Sequence, residues 1–464
     1  MAISIPPGPK ALNPLGAIRD FQRDPLHFTR QMQEQYGDFV ALPSLIVLRN
    51  YLLHDPDLIY QVLVKQADQF RKPRPLNRVL RSTFGNGLFF SEGDFWRRQR
   101  KLMQPAFHHQ RIGAYGARMV TKTEQMLDSW RAGETRNIDE EMRALTLQIV
   151  VDAIFHGDIS QETERVGWAM SEVTEVLTEQ SYNPLKAILP DWLPLSFLRR
   201  KRRAVAVLTE IVYSFIAERR RTGQDRGDLI SLLLQVTDEE TGEGMSDQQI
   251  HDEVMTLLIV GHETSALALT WAWILLAQYP ETAVALQTEV DQVLNGKPPT
   301  LADLSRLPYT EMVIKEVLRL YPPAWMILRE AVQDVTLGGY LIRKKDILMI
   351  APFVVQRDPR FYDDPDIFQP QRFMVDEGQR PLEKRLPKFA YFPFGGGSRI
   401  CLGNGFALLE MQLVLATVAQ QYRLNLLPGQ LVKPVARLTL SFSDSVPMQV
   451  ITHRMLSHST EFST

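Results

Sequence analysis

One cysteine, Cys401, occurs in 464 residues. A single thiol excludes an internal disulfide and any zinc site built on paired cysteines, and it suits a reducing compartment. Nor does any pair of histidines show the HExxH spacing of a helical zinc site. Charge of one sign is also missing: the formal net charge is −2, so no global field draws the chain to nucleic acid or to an anionic membrane. There is no G-x-G-x-x-G dinucleotide loop, no internal repeat, no heptad run and no low-complexity tract. The opening "MAISIPPGPKALNPLG" has no apolar core long enough for a signal peptide or anchor. With 45% apolar and 23% charged residues, a globular, cytoplasmic protein without a transmembrane anchor is expected.

One segment could pass for a membrane span: "VMTLLIVGHETSALALTWAWILLA", residues 254–277. Yet His262, Glu263, Thr264 and Ser265 sit at its middle, where a carboxylate costs at least about 2.5 kcal/mol even on lenient insertion scales. The alternative is a helix apolar on all sides, running through a large core. Ser246 or Asp247 would cap its start and "QYPE" would stop it near Pro280. A helix about 50 Å long argues for one large domain over residues 1–464.

Amphipathic periodicity predicts further helices at 26–36, 94–109, 115–130, 139–156, 162–180, 200–221, 226–236, 281–295, 308–320 and 404–420. Strand-like runs are short: 38–50, 335–353 and 438–454. The fold class is therefore mainly α with a small β part. β structure should fall near 35–65 and 335–355, and the helical core near 94–330 and 401–420. Residues 354–400 form a Pro-, Asp- and Arg-rich stretch with little periodicity, and a loop of that length is usually functional. The basic run Arg199–Arg203 lies on an amphipathic helix beside acids and reads as a solvated face.

Cys401 stands where a glycine-rich loop, Gly395–Gly397, enters an apolar helix. Unpaired backbone N–H groups and the positive dipole end there favour a thiolate. Glycines let backbone approach a flat ligand closely, and Arg399 adds positive charge. A thiolate so placed serves as nucleophile, zinc ligand or haem ligand. Zinc lacks partners here, and no local protease signature surrounds the Cys. Haem iron needs one strong axial protein ligand, and a thiolate there favours O–O cleavage.

"FGGGSRICLG", Phe394 to Gly403, with Ala407 beyond it, resembles the FxxGxRxCxG signature of the cytochrome P450 family. In the family's order, "VGHETS" (260–265) resembles its oxygen-binding groove, "EVLR" (316–319) its ExxR element, and "FQPQRF" (368–373) its PERF-type element. ExxR alone is unspecific. It also matches Glu140–Arg143, Glu162–Arg165, Glu218–Arg221 and Glu377–Arg380, where an exposed i,i+3 ion pair is the expected reading. The Cys loop is specific, because six specified positions, Phe394, Gly397, Arg399, Cys401, Gly403 and Ala407, fall together.

The resemblance implies a cytochrome P450-type fold with haem b as cofactor and Cys401 as the thiolate ligand to iron. Phe394, Gly395, Gly403 and Ala407 would surround it, and Trp96, Arg100, Arg329 and Arg399 would meet the haem propionates. Glu263 and Thr264 resemble the family's acid–alcohol pair, which passes protons to reacting dioxygen. A threonine that bonds back to its own helix and bends it is the structural alternative. Val260, Gly261, Trp325, Met326 and Ile327 would line the substrate pocket. Glu316, Arg319 and Arg372 would form a buried ion triad that orders the loop feeding Cys401. Three departures stand out: Val260 where Ala or Gly is common, Gln371 where an acid is frequent, and Gln356 where His is frequent. "ILPDWLPLSF" (188–197) resembles the family's lid.

The resemblance implies a monomeric monooxygenase inserting one atom of O2 into a small apolar substrate, a fatty acid or a terpenoid. The chain ends 63 residues after Cys401 with no reductase motif, so a separate ferredoxin or flavodoxin-type donor is expected. Arg97, Arg98 and Lys101 offer a docking patch for it. A peroxide-using or rearranging haem-thiolate enzyme, or a non-catalytic haem-binding sensor, would keep the same Cys loop.

Overall fold

The computed structural model describes residues 5–9, 14–43, 49–156, 160–182, 186 and 189–453. Its contacts resolve into two compact units: residues 1–76, 311–401 and 432–444, and residues 77–310, 402–431 and 445–464.

The first unit holds a five-stranded sheet in the order Phe39–Leu42, Asn50–Leu53, Ile347–Ile350, Ile327–Ala331 and Phe70–Arg71. Asn50–Leu53 runs parallel to Ile347–Ile350, and the other pairs are antiparallel. Strand alternation decides which side chains reach the core: Leu348 and Ile350 are fully buried, while Ile347 and Met349 are only half-buried. A separate hairpin, Val335–Leu337 with Tyr340–Ile342, turns on Gly338 and Gly339. Both have positive φ, as a two-residue primed turn requires. The expected β part at 35–65 is strand only in its first half. Helix Pro56–Tyr60 and a π-turn Gln61–Lys65 follow, started by Pro56 and the Asp55 cap.

In the second unit the predicted central helix is Asp247–Gln278, about 48 Å long. Ser246 caps it: its hydroxyl accepts from Gln249 N at 3.2 Å, and Gln249 returns the bond to Ser246 N at 2.8 Å. The next helix starts at Pro280. The helix is long and apolar enough to cross a bilayer, but most of that stretch is buried inside this unit. Its main partner is helix Ile138–Phe155, with Val150, Val151, Ile154 and Phe155 meeting Val254, Met255 and Leu258 in one apolar cluster.

Two boundaries moved. The helix expected at 94–109 stops at Met103, because Pro105 lacks an N–H and forces a 3-10 turn over Gln104–Phe107. A new helix, His109–Leu127, takes over. The tail read as one strand region splits: Leu440–Phe442 pairs with Pro434–Ala436 in the first unit, and Pro447–Thr452 pairs with Tyr422–Leu426 and Thr135–Asn137 in the second. Helices Pro14–Arg23 and Arg74–Phe84 were not predicted. On the basic helix, Ser196–Thr222, Arg199, Arg202 and Arg203 are exposed, but Lys201 is buried against Asp191 at 2.5 Å.

Candidate active site

In the first unit the Cys loop is a chain of tight turns. Gly395 N donates to Phe392 O at 2.9 Å, Ile400 N to Gly397 O at 3.2 Å, and Cys401 N to Phe394 O at 3.0 Å. The Cys401 side chain emerges exposed, with Phe394 and Arg399 half-buried. The glycines do not share one task, which corrects the expectation that all three flatten the loop for a ligand. A Cβ on Gly396 would overlap the Phe389 ring, and one on Gly397 would overlap the Leu63 carbonyl oxygen. These two serve packing within the protein. Gly395 differs: its φ of +71° favours glycine, and a Cβ there would make only an ordinary contact, with Ile327 Cδ1 at 3.9 Å. Arg329 lies two residues along the same strand and so shares a face with Ile327. Its Nη1 turns back to the Leu328 carbonyl at 2.9 Å.

Two expected pocket residues belong elsewhere. Trp325 is buried in a cluster with Leu26, Ala351, Phe353 and Leu440, and its indole N–H donates to Arg437 O at 2.8 Å. Met326 packs against that cluster and against Phe28 and Met32. Trp325 is a core side chain here, its buried indole satisfied by that acceptor, and Met326 is half-buried against the same side chains.

The long stretch before Cys401 is held by buried polar groups. Arg319, on helix Pro308–Leu320, makes a bidentate pair with Glu316 at 2.6 and 2.8 Å. Its remaining donors reach the carbonyls of Gln356, Pro365 and Ile367. Glu316 also accepts from Gln369 N at 3.0 Å and from Arg372 Nε at 3.3 Å. Gln356 donates to the Leu318 and Arg319 carbonyls at 3.0 Å each and accepts from Phe392 N at 2.8 Å. An amide can do all three at once, which an imidazole cannot. Gln371 adds no charge to this cluster. Short helical turns at Pro352–Val355, Pro370–Phe373 and Leu382–Arg385 complete the stretch.

In the second unit, helix Ile138–Phe155 crosses the central helix at the "VGHETS" turn. A Cβ on Gly261 would meet the Val150 methyls at 3.3 and 3.5 Å, so this glycine serves the helix crossing and not pocket space. Thr146 Oγ1 lies 3.1 Å from His262 O. Glu263 pairs with Arg143, which also holds Asp139 at 2.7 Å. Thr264 Oγ1 donates to Val260 O at 3.0 Å, the back-bond weighed as the structural alternative. Val260, Glu263 and Thr264 are each half-buried.

Trp96 is buried and Arg100 half-buried on helix Gly93–Met103. The docking patch does not survive as a cationic surface. Arg97 pairs with Asp94, Arg98 lies 3.7 Å from Glu243, and Lys101 lies 3.2 Å from Glu240. Neighbouring acids offset each cation. Gly403 caps helix Asn404–Ala419, and Ala407 N closes its first turn on Gly403 O at 2.9 Å.

The family model for cytochrome P450 matches residues 6–450. The chain belongs to the cytochrome P450 family. It is 38% identical over 421 residues to a cyclooctatin synthase of Streptomyces melanosporofaciens, covering 90% of each chain. It is 35% identical to a cyclooctat-9-en-7-ol 5-monooxygenase of the same organism, covering 89% of this chain and 88% of the relative. A pentalenene oxygenase of Streptomyces avermitilis is 33% identical, covering 93% and 94%. As in the P450 family generally, this is a haem-thiolate monooxygenase that uses O2, an apolar substrate and a redox partner.

The residues present fit haem b. The sole cysteine is exposed, and protein atoms leave room beside Gly395, where the nearest neighbour of a Cβ would be Ile327 Cδ1 at 3.9 Å. Haem supplies dioxygen binding and O–O cleavage, which a thiolate ligand favours.

Four polar side chains escaped the sequence reading. Arg143 was set aside within a chance ExxR match, yet it holds Glu263. Glu410 lies inside an apolar helical pattern, and Asp252 and Glu253 lie directly before one, all three as buried acids. An acid at a core position of such a pattern was the available signal.

Proposed function

We propose that this chain is a cytochrome P450 monooxygenase of cyclic terpenoids. The observation that carries this reading is similarity over nine-tenths of both chains to a relative named for cyclooctatin, with others named for cyclooctat-9-en-7-ol and pentalenene. Residues 1–464 act as one catalytic domain, monomeric and cytoplasmic, with electrons from a separate ferredoxin or flavodoxin.

Within this reading Cys401 ligates the iron, and Phe394, Gly395, Gly403 and Ala407 shape its surroundings. Trp96, Arg100, Arg329 and Arg399 hold the propionates. Thr264 keeps its oxygen lone pairs available, since its one hydrogen is given to Val260 O. Glu263 is the acid of the pair, held by Arg143. Val260 and Ile327 border the substrate. Glu316, Arg319 and Arg372 order the Cys loop.

The test is optical. The purified protein should give the ferrous–CO spectrum of thiolate ligation, and cyclic terpenoids should shift its haem toward high spin while fatty acids leave it unchanged. A histidine-type CO spectrum would overturn the haem-thiolate assignment. A shift with fatty acids and none with terpenoids would overturn the substrate class.

A further inference from the structure

Two adjacent acids near the start of the central helix hold the segment that leads into the Trp96 helix. Glu253 is fully buried. Its Oε2 accepts from Leu88 N at 2.8 Å, and its Oε1 accepts from Gln99 Nε2 at 3.0 Å. Asp252 Oδ2 accepts from Asn86 N at 2.7 Å, while its Oδ1 accepts from Gln248 Nε2 at 2.7 Å and lies 3.0 Å from His251 Nδ1. Gly85 sits so close that a Cβ would overlap the Asp252 carboxylate, and a Cβ on Gly87 would overlap Thr256 Oγ1.

Among the described residues no Lys or Arg pairs with Glu253. Burial raises its pKa to about 7, although the Leu88 and Gln99 hydrogen bonds pull it back. An acid left in a core without a cation destabilises the fold unless its hydrogen bonds compensate. Such a group is a candidate for a functional role.

Its partner on the Trp96 helix, Gln99, points to that role. The buried face of Gly93–Met103 is Trp96, Gln99, Leu102 and Met103. Gln99 is the single polar member, fully buried, three residues after Trp96 and next to Arg100. Apolar contacts tolerate small slides and rotations of a helix, whereas a hydrogen bond is lost within a fraction of an ångström. The Gln99–Glu253 bond therefore fixes the rotation of this helix, and with it the directions of Trp96 and Arg100.

We infer that Glu253 is a positioning residue for haem, acting through Gln99 on Trp96 and Arg100 and through Leu88 on the loop before them. This rests on the reading that Trp96 and Arg100 meet the propionates.

The experiment measures haem transfer from the holoenzyme to excess apomyoglobin, with the haem midpoint potential as a second readout. Gln99→Leu and Glu253→Leu should each release haem on the order of tenfold faster, as outer-shell losses do at metal sites, and Arg100→Leu should do the same. Glu253→Gln should stay near the wild-type rate, because its amide oxygen still takes the Leu88 N–H while Gln99 turns its own amide. The double variant Gln99→Leu, Glu253→Leu should be no worse than the faster single variant. If Glu253→Leu does not fold, Gln99→Leu decides. Wild-type release and potential in Gln99→Leu, alongside fast release in Arg100→Leu, overturn the role of Glu253 alone. Wild-type release in Arg100→Leu overturns the propionate reading on which it rests.

Discussion

Glu410 gives the sharpest prediction about stability. It lies on helix Asn404–Ala419, fully buried, and neither carboxyl oxygen has a hydrogen-bond partner of good geometry. Burial raises its pKa from 4.5 to about 8, and the nearby Ser265 hydroxyl relieves only part of that. The unfolded chain loses this proton above about pH 4.5, while the folded protein keeps it until about pH 8. Between those values the folded state binds more protons, so stability falls as pH rises. Each pH unit is worth about 1.4 kcal/mol, so by pH 7 the loss reaches about 3 kcal/mol. Glu410→Gln has no proton to lose. Its amide brings a cost of its own, but that cost does not vary with pH. Urea denaturation followed by circular dichroism should therefore show the variant gaining about 3 kcal/mol on wild type between pH 4.5 and pH 7. Parallel stability curves for the two proteins across that window would refute the reasoning.

Glu316→Ala strands the Arg319 and Arg372 guanidinium groups in a buried site. It should cost about 3–5 kcal/mol, read as a lower thermal midpoint together with haem-poor protein. Full haem content and an unchanged midpoint would show that the triad does not order the Cys loop. Thr264→Ala should divert reducing equivalents to peroxide, measured as peroxide formed per NAD(P)H consumed with a reconstituted donor. Fully coupled turnover in that variant would remove Thr264 from proton delivery.

What could be read from the sequence was local in chain distance. The central helix announced itself through an apolar run, a Ser246 cap and a Pro280 stop, and both ends fall where those signals put them. The Cys loop was legible because its specified positions lie within fourteen consecutive residues, 394–407. Partners set by the fold were not legible. The sequence placed Gly396 and Gly397 beside Cys401, but the Phe389 ring and the Leu63 carbonyl that require them come from other segments. "YPPAWMILRE" suggested a pocket because it stands where the family lines one, and position along the chain does not distinguish a cavity wall from a core. For Trp325 the Arg437 carbonyl decides, and Arg437 lies 112 residues away. Spacing was equally ambiguous for ExxR. Glu162–Arg165 does form the expected i,i+3 pair, whereas Arg143 reaches past Glu140 to Asp139 and Glu263.

That last contact bears on the proposed acid–alcohol pair. Consecutive residues on a helix point about 100° apart, so Glu263 and Thr264 do not face one another. Glu263 turns to Arg143 on the crossing helix, and Thr264 turns to its own Val260 carbonyl. A proton cannot pass between them while both contacts stand. Thr264 needs little to change, because a hydroxyl that donates to a carbonyl still has lone pairs with which to accept. To serve as the proposed acid, Glu263 would instead have to leave Arg143, at a cost reduced by Asp139, which remains as a second acceptor for Arg143 at 2.7 Å. On that proposal Asp139 would matter to proton delivery without touching the reacting atoms: it would keep Arg143 from being left a half-buried, unpaired charge when Glu263 lets go.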